Sequence, residues 1–134
     1  MSLPITLSTA AAAAFLHIWL SARVVQARRG LNISVGDGGH EAVLRRMRAH
    51  ANFAENMPIF LILLAAIEIS GGNRLILLAA SFAFVLARIA HGLGMDGGSL
   101  TRLRTVGMMT NTIVIGLLAV YAVYLAWAGT VAGT

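Results

Sequence analysis

The chain has 134 residues, of which 58% are hydrophobic and 11% are charged, and its formal net charge is +5. A soluble domain usually has about a quarter of its residues charged, so this composition excludes an ordinary water-soluble globule and indicates one small membrane domain. The absence of cysteine excludes disulfides, thiolate metal sites and a cysteine nucleophile. Any thiol chemistry therefore needs a thiol that a ligand brings.

All ten basic residues are arginine. A GC-rich genome accounts for this bias, and so does a functional reason: a guanidinium keeps its charge and binds carboxylates in apolar surroundings better than an ammonium does. The arginines flank apolar segments and form no extended soluble patch. We therefore expect the positive charge to orient the chain in a membrane and not to bind nucleic acid.

Four apolar segments predict an all-α, four-helix transmembrane bundle. The first spans about residues 3–28 and is followed by a polar loop that contains Gly36-Asp37-Gly38-Gly39. The second spans about residues 41–70, which is longer than the roughly 20 residues that a bilayer requires. Its first turns should therefore protrude into the headgroup region, and Pro58 should bend it.

The last two segments complete a single transmembrane domain over residues 1–134. The third spans about residues 74–93, and a loop loosened by glycines follows it, at Gly92, Gly94, Gly97 and Gly98. The fourth spans about residues 103–129, with Asn111 as its only strongly polar interior residue. Aromatic residues near its end are typical of a membrane interface.

The distribution of arginine among the loops predicts the orientation. The first and third loops and their flanks hold most of the arginines, whereas the second holds only Arg74. The positive-inside rule therefore predicts cytoplasmic first and third loops, with both termini on the far side of the membrane. Several polar side chains should then gather at the cytoplasmic face, and this convergence predicts one binding site there.

Arg48, Asn52 and Glu55 are spaced i, i+4, i+7, so they lie within a narrow arc of the second helix. Ionisable groups at membrane depth are costly and persist where they face a protein interior or a wet cavity. One interpretation is a structural seam in which Arg48 and Glu55 neutralise each other. The other is a binding site for an anionic ligand, because one glutamate cannot balance the several arginines expected at the same depth.

Arg88 and His91 are spaced i, i+3 near the end of the third helix. A cation at a helix C-terminus is favoured by the helix dipole, and a single histidine is more often packed than catalytic, so neither residue requires a function. The histidines show no spacing with carboxylates that is typical of metal ligands, so we expect no metal site.

The motifs together resemble the MAPEG family, the membrane-associated proteins in eicosanoid and glutathione metabolism. Its signature is similar to Arg48-Ala49-His50-Ala51-Asn52-Phe53-Ala54-Glu55-Asn56-Met57-Pro58. Further similarity lies in Val25-Gln26-Ala27-Arg28-Arg29, in Arg88-Ile89-Ala90-His91 and in Arg104-Thr105-Val106-Gly107-Met108. With the glycine-rich first loop, the chain looks most like the bacterial inner-membrane branch. Asn56 and Met95 depart from the tyrosines that eicosanoid-producing members tend to carry.

The resemblance implies a homotrimer that binds glutathione as co-substrate between protomers, on the cytoplasmic side, without a metal. It implies a glutathione transferase or peroxidase that acts on a lipophilic small molecule from the membrane. The glutathione-binding residues would be those at the matching positions: Arg28, Arg48, Asn52, Glu55, Arg88 and His91. The arginine that stabilises the thiolate would be Arg102 by the distance from His91, or Arg104 by the Arg-x-x-Gly pattern, and we place Arg104 first.

Two other functions are alternatives to a glutathione enzyme. One is a non-catalytic lipid-binding, fatty-acid-binding or scaffold protein of the same fold, since membrane lipids with anionic headgroups also bind arginine clusters. The other is a small multidrug transporter, but such a transporter needs an acidic residue in the middle of an early span, and the first segment has none.

Overall fold

The computed structural model describes residues 2–97 and 100–132, with side chains through residue 129. It contains four helices, α1 (Pro4–Gly30), α2 (Glu41–Ile69), α3 (Arg74–Gly94) and α4 (Thr101–Ala132). All four are long and apolar enough to cross a membrane. The predicted all-α bundle is confirmed, and the chain is an integral, multi-pass membrane protein with four spans.

Two helix ends differ from the sequence prediction near the third loop. Gly92 and Gly94 were expected in that loop, but both lie in α3. A Cβ on Gly92 would meet the Trp19 ring of α1, and one on Gly94 would meet the backbone of Arg104 in α4. These glycines are therefore close-packing positions and not loop residues, whereas Gly98 lies outside the described residues. The fourth helix begins at Thr101 and not at residue 103.

The helices pack as an antiparallel bundle. The most extensive contacts join α3 with α4 and α1 with α2, and smaller ones join α1 with α3 and α2 with α4. Because successive helices run in opposite directions, the α1–α2 and α3–α4 connections lie together, at what we call the two-loop end. The α2–α3 connection lies at the opposite end with the start of α1.

Large apolar side chains fill the centre of the bundle. Phe60 of α2 and Phe84 of α3 stack with their ring centroids 3.9 Å apart, and both are fully buried. Apolar side chains also cover the outer surface; Phe15 and Leu75, for example, are 74% and 75% exposed. A protein that is apolar inside and outside is suited to a lipid environment, because the lipid acyl chains cover its outward-facing apolar side chains.

Glu68 has a structural role that the sequence did not indicate. Its carboxylate accepts hydrogen bonds from the backbone N–H groups of Ile5 (2.9 Å) and Thr6 (2.8 Å) and from the Thr6 hydroxyl (2.6 Å). The first N–H groups of a helix have no partner within the helix, so a carboxylate from α2 satisfies them here. This contact joins the last turn of α2 to the first turn of α1.

The two-loop end is joined by a charged cluster of three residues. The Asp96 carboxylate, just after α3, pairs with Arg23 of α1 and with Arg46 of α2. Arg23 also donates to the Gly92 carbonyl at 2.7 Å, and Arg46 donates to the Arg23 carbonyl at 3.1 Å. The cluster therefore fixes the position of the end of α3 along the bundle axis relative to α1 and α2.

Candidate functional site

A polar cavity of about 350 Å³ opens at the two-loop end between α2, α3 and α4. We call it the arginine cavity. Its lining residues come from all three helices and from the turn after α3, and they are Arg48, Asn52, His91, Met95, Arg104, Thr105 and Met108. The volume lies in the range of small-molecule sites, which is about 300 to 1,000 Å³. No acidic side chain is present among these described lining residues.

Local sequence explains how α2 and α4 form the walls of the cavity. Arg48 and Asn52 are one helical turn apart, so both project from the same face of α2. Gly107 allows α4 to approach α3, because a Cβ there would stand 2.6 Å from the His91 backbone nitrogen. The close approach brings the first turns of α4, with Arg104, alongside the last turn of α3.

The position of His91 fixes its tautomer. Its Nδ1 lies 3.2 Å from the Arg104 carbonyl oxygen. A carbonyl oxygen only accepts hydrogen bonds, so Nδ1 must carry the proton. In the neutral ring, Nε2 is then left as an acceptor on a residue that lines the cavity.

Arg88 is buried beside the cavity and does not line it. Its guanidinium donates to Asn52 Oδ1 at 2.6 Å and to the Gly107 carbonyl at 3.3 Å, and only 2% of the residue is exposed. Its Nε has no hydrogen-bond partner within the described part of the chain. Arg88 is therefore a buried cation held by neutral oxygens, and it orients the amide of Asn52 at the cavity wall.

Glu55 is exposed and lies outside the arginine cavity. Among the residues that the structure describes, it forms no ion pair with Arg48. The interpretation of the polar stripe as a self-neutralising seam is therefore wrong. Arg48 faces the cavity without a carboxylate beside it.

Arg28 is also separate from the cavity. Its Nε donates to the Gly36 carbonyl at 3.0 Å, and its terminal nitrogen contacts the Met47 sulfur at 3.5 Å. The residue thus fastens the first loop to the end of α1 and the start of α2. Within the single chain, the six expected glutathione-binding residues do not all converge.

The two candidate arginines of α4 occupy different places. Both are exposed, but Arg104 lines the arginine cavity and Arg102 does not. Arg104 also lines a smaller neighbouring cavity of about 160 Å³ with Arg45 of α2 and Met95. Arg45 was not proposed as a site residue from the sequence, although it lies one turn before Arg48; its guanidinium is paired with Glu41 at 2.6 Å.

The pair of Asn56 and Asn111 was also missed as a unit. Asn111 was noticed as the polar residue of the fourth segment, and Asn56 lies one turn after Asn52. The Asn111 amide donates to Asn56 Oδ1 at 3.1 Å, between α4 and α2. The sequence signal that could have indicated this contact was the presence of an asparagine in each of two apolar segments.

Across residues 2–97 and 100–132, no group of three or more His, Asp or Glu side chains is arranged to hold a metal ion. The chemistry available at the cavity is that of fixed guanidiniums, one imidazole and one amide. Such a set binds anions and orients a ligand with several polar groups.

Comparison with known proteins identifies the family of the chain. No curated protein matches the sequence significantly. The model of the MAPEG family matches residues 6–124, which include all of α2 and α3, most of α1 and α4, and every residue that lines the arginine cavity. The resemblance seen in the sequence motifs is therefore confirmed, and the chain belongs to the MAPEG family.

Proposed function

We propose that this protein is a membrane glutathione transferase or peroxidase that binds glutathione at the arginine cavity. The observation that carries the proposal is a cavity lined by two guanidiniums, an imidazole and an amide, with no acidic residue among its described lining. Many MAPEG members are glutathione-dependent enzymes, and the family commonly uses glutathione. An anionic ligand with several polar groups is what this lining favours.

The charges of glutathione suit those of the site. The tripeptide carries two carboxylates and one ammonium group, and carboxylates form strong, paired hydrogen bonds with guanidiniums. Arg48 is free to bind a carboxylate, and the Asn52 amide, held by Arg88, adds a neutral contact. His91 offers Nε2 as an acceptor for an N–H group of the peptide.

The thiol would be activated by Arg104. A free thiol has a pKa of about 8.5, so little thiolate exists at neutral pH. A guanidinium close to sulfur in a partly dry site lowers the thiol pKa by about one to two pH units, which is about 1.4 to 2.8 kcal/mol. No protein side chain acts as nucleophile. In the transferase reaction, the thiolate forms a C–S bond with a carbon of the lipophilic substrate while the bond from that carbon to the leaving group breaks, and the leaving group departs with the electron pair. In the peroxidase reaction, the thiolate attacks the terminal oxygen of a lipid hydroperoxide, the O–O bond breaks and the alkoxide takes up a proton; the resulting glutathione sulfenic acid is reduced by a second glutathione, which gives the disulfide and water.

The second substrate would reach the sulfur from the membrane. Met108 lines the cavity, and next to it the α4 side chains Val106 and Met109 are both 57% exposed. This apolar flank gives a molecule dissolved in the bilayer lateral access to the cavity. A lipid hydroperoxide or another hydrophobic electrophile fits this route.

We propose that the protein is a homotrimer whose neighbouring protomers complete the site. Arg28 and Glu55 lie outside the cavity of their own protomer, and Glu55 is exposed within a membrane span, which is costly unless another protein chain covers it. A neighbour would supply Arg28 and allow Glu55 to meet the ligand's ammonium group. The site would face the cytoplasm of a bacterial inner membrane, with both termini periplasmic.

A second candidate function is binding of an anionic lipid or fatty acid without catalysis. It is favoured by Arg102, which is exposed at the two-loop end and has no ion pair among the described residues. The headgroup would take the place of the glutathione carboxylates in the arginine cavity. Both functions use the cations of the arginine cavity. The lipid headgroup would also contact Arg102, and only the first function involves thiol chemistry.

A titration of the detergent-purified protein tests the proposal. We expect millimolar glutathione to raise the thermal unfolding midpoint, because a ligand that binds only the native state stabilises it. S-methylglutathione is the control for thiol chemistry, since it should bind without giving the ultraviolet absorbance of a thiolate. Stabilisation by anionic lipid, with none by glutathione in folded protein, would refute the proposal and support the lipid-binding function.

A further inference from the structure

We propose that Asn111 and Asn56 are positioning residues that hold α2 and α4 in the register that the arginine cavity requires. The inference rests on the proposed function, because it assigns these residues to the affinity for glutathione. Neither residue lines the cavity. Their effect on the ligand would pass through Asn52 and through the placement of the two helices.

The contacts form a continuous chain from α4 to the cavity wall. The Asn111 Nδ2 group donates to Asn56 Oδ1 at 3.1 Å. The Asn56 Nδ2 group in turn donates to the backbone carbonyl of Asn52 at 2.8 Å. The side-chain amide of Asn56 therefore links Asn111 of α4 to Asn52, the residue of α2 that lines the cavity.

Polar contacts join each pair of the three helices that surround the cavity. Arg88 of α3 donates both to Asn52 of α2 and to the Gly107 carbonyl of α4. The Asn56–Asn111 pair closes the third side, between α2 and α4. Apolar side chains slide past one another at low cost in a membrane, whereas a buried amide pair specifies one register.

Asn111 is poorly explained as a stabilising residue. Only 2% of it is exposed, and its Oδ1 has no hydrogen-bond partner in the described chain. A buried acceptor without a partner lowers stability, so an apolar side chain of similar volume would serve packing as well or better. The Asn111 amide is better explained by its effect on Asn56, whose side chain it orients.

The test is a double-mutant cycle on glutathione affinity. The variants are Asn111→Leu, Asn56→Leu and the double substitution, each measured for its Kd and for its unfolding midpoint without ligand. Thr112→Val is the matched control, since Thr112 is exposed on the same turn of α4 and its hydroxyl donates only to the Met108 carbonyl of its own helix.

We expect Asn111→Leu to raise the Kd about three- to tenfold, which is the range of interhelical hydrogen bonds in membranes. The midpoint of this variant without ligand should stay the same or rise. Asn111→Leu should have no further effect in the Asn56→Leu background, because Asn111 acts through Asn56. Thr112→Val should leave the Kd unchanged.

Two results would overturn the inference. One is an effect of Asn111→Leu on Kd that adds to that of Asn56→Leu. The other is a lowered midpoint with an unchanged Kd, which is the signature of a merely structural residue.

Amide hydrogen exchange in ligand-free protein separates this inference from the proposed function. If the wild-type protein binds no glutathione, the proposed function fails. Asn111→Leu should still speed exchange of the backbone amides of residues 52–57 relative to Thr112→Val, and unchanged exchange there would refute the positioning role itself.

Discussion

The Arg88 guanidinium illustrates how a charged side chain is kept inside this membrane bundle. It is buried between Asn52 and the Gly107 carbonyl, and no described carboxylate pairs with it. A buried cation without an anion is costly, and such residues in membrane spans are generally tied to function. Here Arg88 places a positive charge directly behind the wall of the arginine cavity, where an anionic ligand would reduce its cost.

The role of Arg104 can be separated from that of Arg102 by substitution. We expect Arg104→Ala to reduce the thiolate absorbance of bound glutathione at neutral pH about tenfold or more, since the thiol pKa would return toward its ordinary value. Binding itself should remain largely intact. The absorbance is measured by difference spectroscopy at saturating glutathione.

Arg102→Ala is the matched control for that experiment, because it removes the same charge two residues away from a side chain outside the cavity. We expect it to retain the thiolate signal. Loss of the signal in Arg102→Ala and its retention in Arg104→Ala would reverse the assignment of the two residues.

Gly107 allows helix α4 to pack closely against α3, and the sequence alone does not distinguish it from the other glycines of α4. A Cβ on Gly107 would collide with the backbone of α3, whereas one on Gly116, two to three turns later in the same helix, would meet nothing within 4 Å. The approach at Gly107 allows Arg88 and His91 to reach backbone carbonyls of α4. The packing of two apolar helices thus determines the geometry of a polar site.

Gly107→Ala should lower stability, because the added methyl group must push the helices apart at a cost of about 1 to 3 kcal/mol. It should also weaken glutathione binding, since the wall formed by α4 would move. Gly116→Ala should leave both unchanged or raise stability slightly, because alanine favours a helix over glycine. Equal effects of the two substitutions on thermal unfolding and ligand titration would contradict the close-packing role.

The contact between α1 and α2 at the opposite end depends on Glu68. We expect Glu68→Gln to lower the free energy of unfolding by about 1 to 2 kcal/mol, since charge-assisted hydrogen bonds to a helix N-terminus are replaced by a neutral acceptor. Glutathione affinity should not change, because the arginine cavity lies at the other end. The measurement is thermal unfolding, with the ligand titration beside it.

Glu41→Gln is the control of equal charge, as Glu41 pairs with Arg45 on an exposed helix surface. An exposed pair of this kind contributes about 0.3 to 0.5 kcal/mol. If Glu41→Gln destabilised the protein as much as Glu68→Gln, the anchoring of α1 by Glu68 would be refuted.

The complete molecule is expected to be a trimer in which Arg28 and Arg48 of one site come from different protomers. Native mass spectrometry in detergent should then give three times the 14.1 kDa mass of the chain. Arg28→Ala and Arg48→Ala should each bind glutathione poorly, because each removes a cation for one carboxylate. Co-expression of the two variants should restore binding, because some mixed trimers contain an intact site.

Recovery of glutathione binding in the mixed trimers is the decisive result. Its control is the summed glutathione binding of the two variants when each is expressed and purified separately. If mixed trimers formed without any recovery, Arg28 and Arg48 would act from the same protomer or at different places. A monomer that binds glutathione fully would refute the intersubunit site directly.

The sequence was sufficient for features that depend on neighbours along the chain. The length and apolar character of four segments predicted the spans, and the spacing of Arg48 and Asn52 placed them on one helix face. Composition predicted a membrane protein, and short motifs identified the family. The role of Glu68 was missed, because its partners Ile5 and Thr6 are more than sixty residues away in sequence.

Only the tertiary structure decided which polar side chains meet. Arg48, His91 and Arg104 belong to three helices, and their convergence depends on how each helix is rotated and how closely it approaches the next. Gly94 and Gly107 set that approach by backbone contact, which no local pattern encodes. For the same reason, Glu55 lies outside the cavity although it shares its motif with Arg48 and Asn52. Arg28 also lies outside it, whereas Arg45 lies beside it. Helix formation is a local property of the chain, but the rotation and distance of packed helices arise from contacts between distant residues.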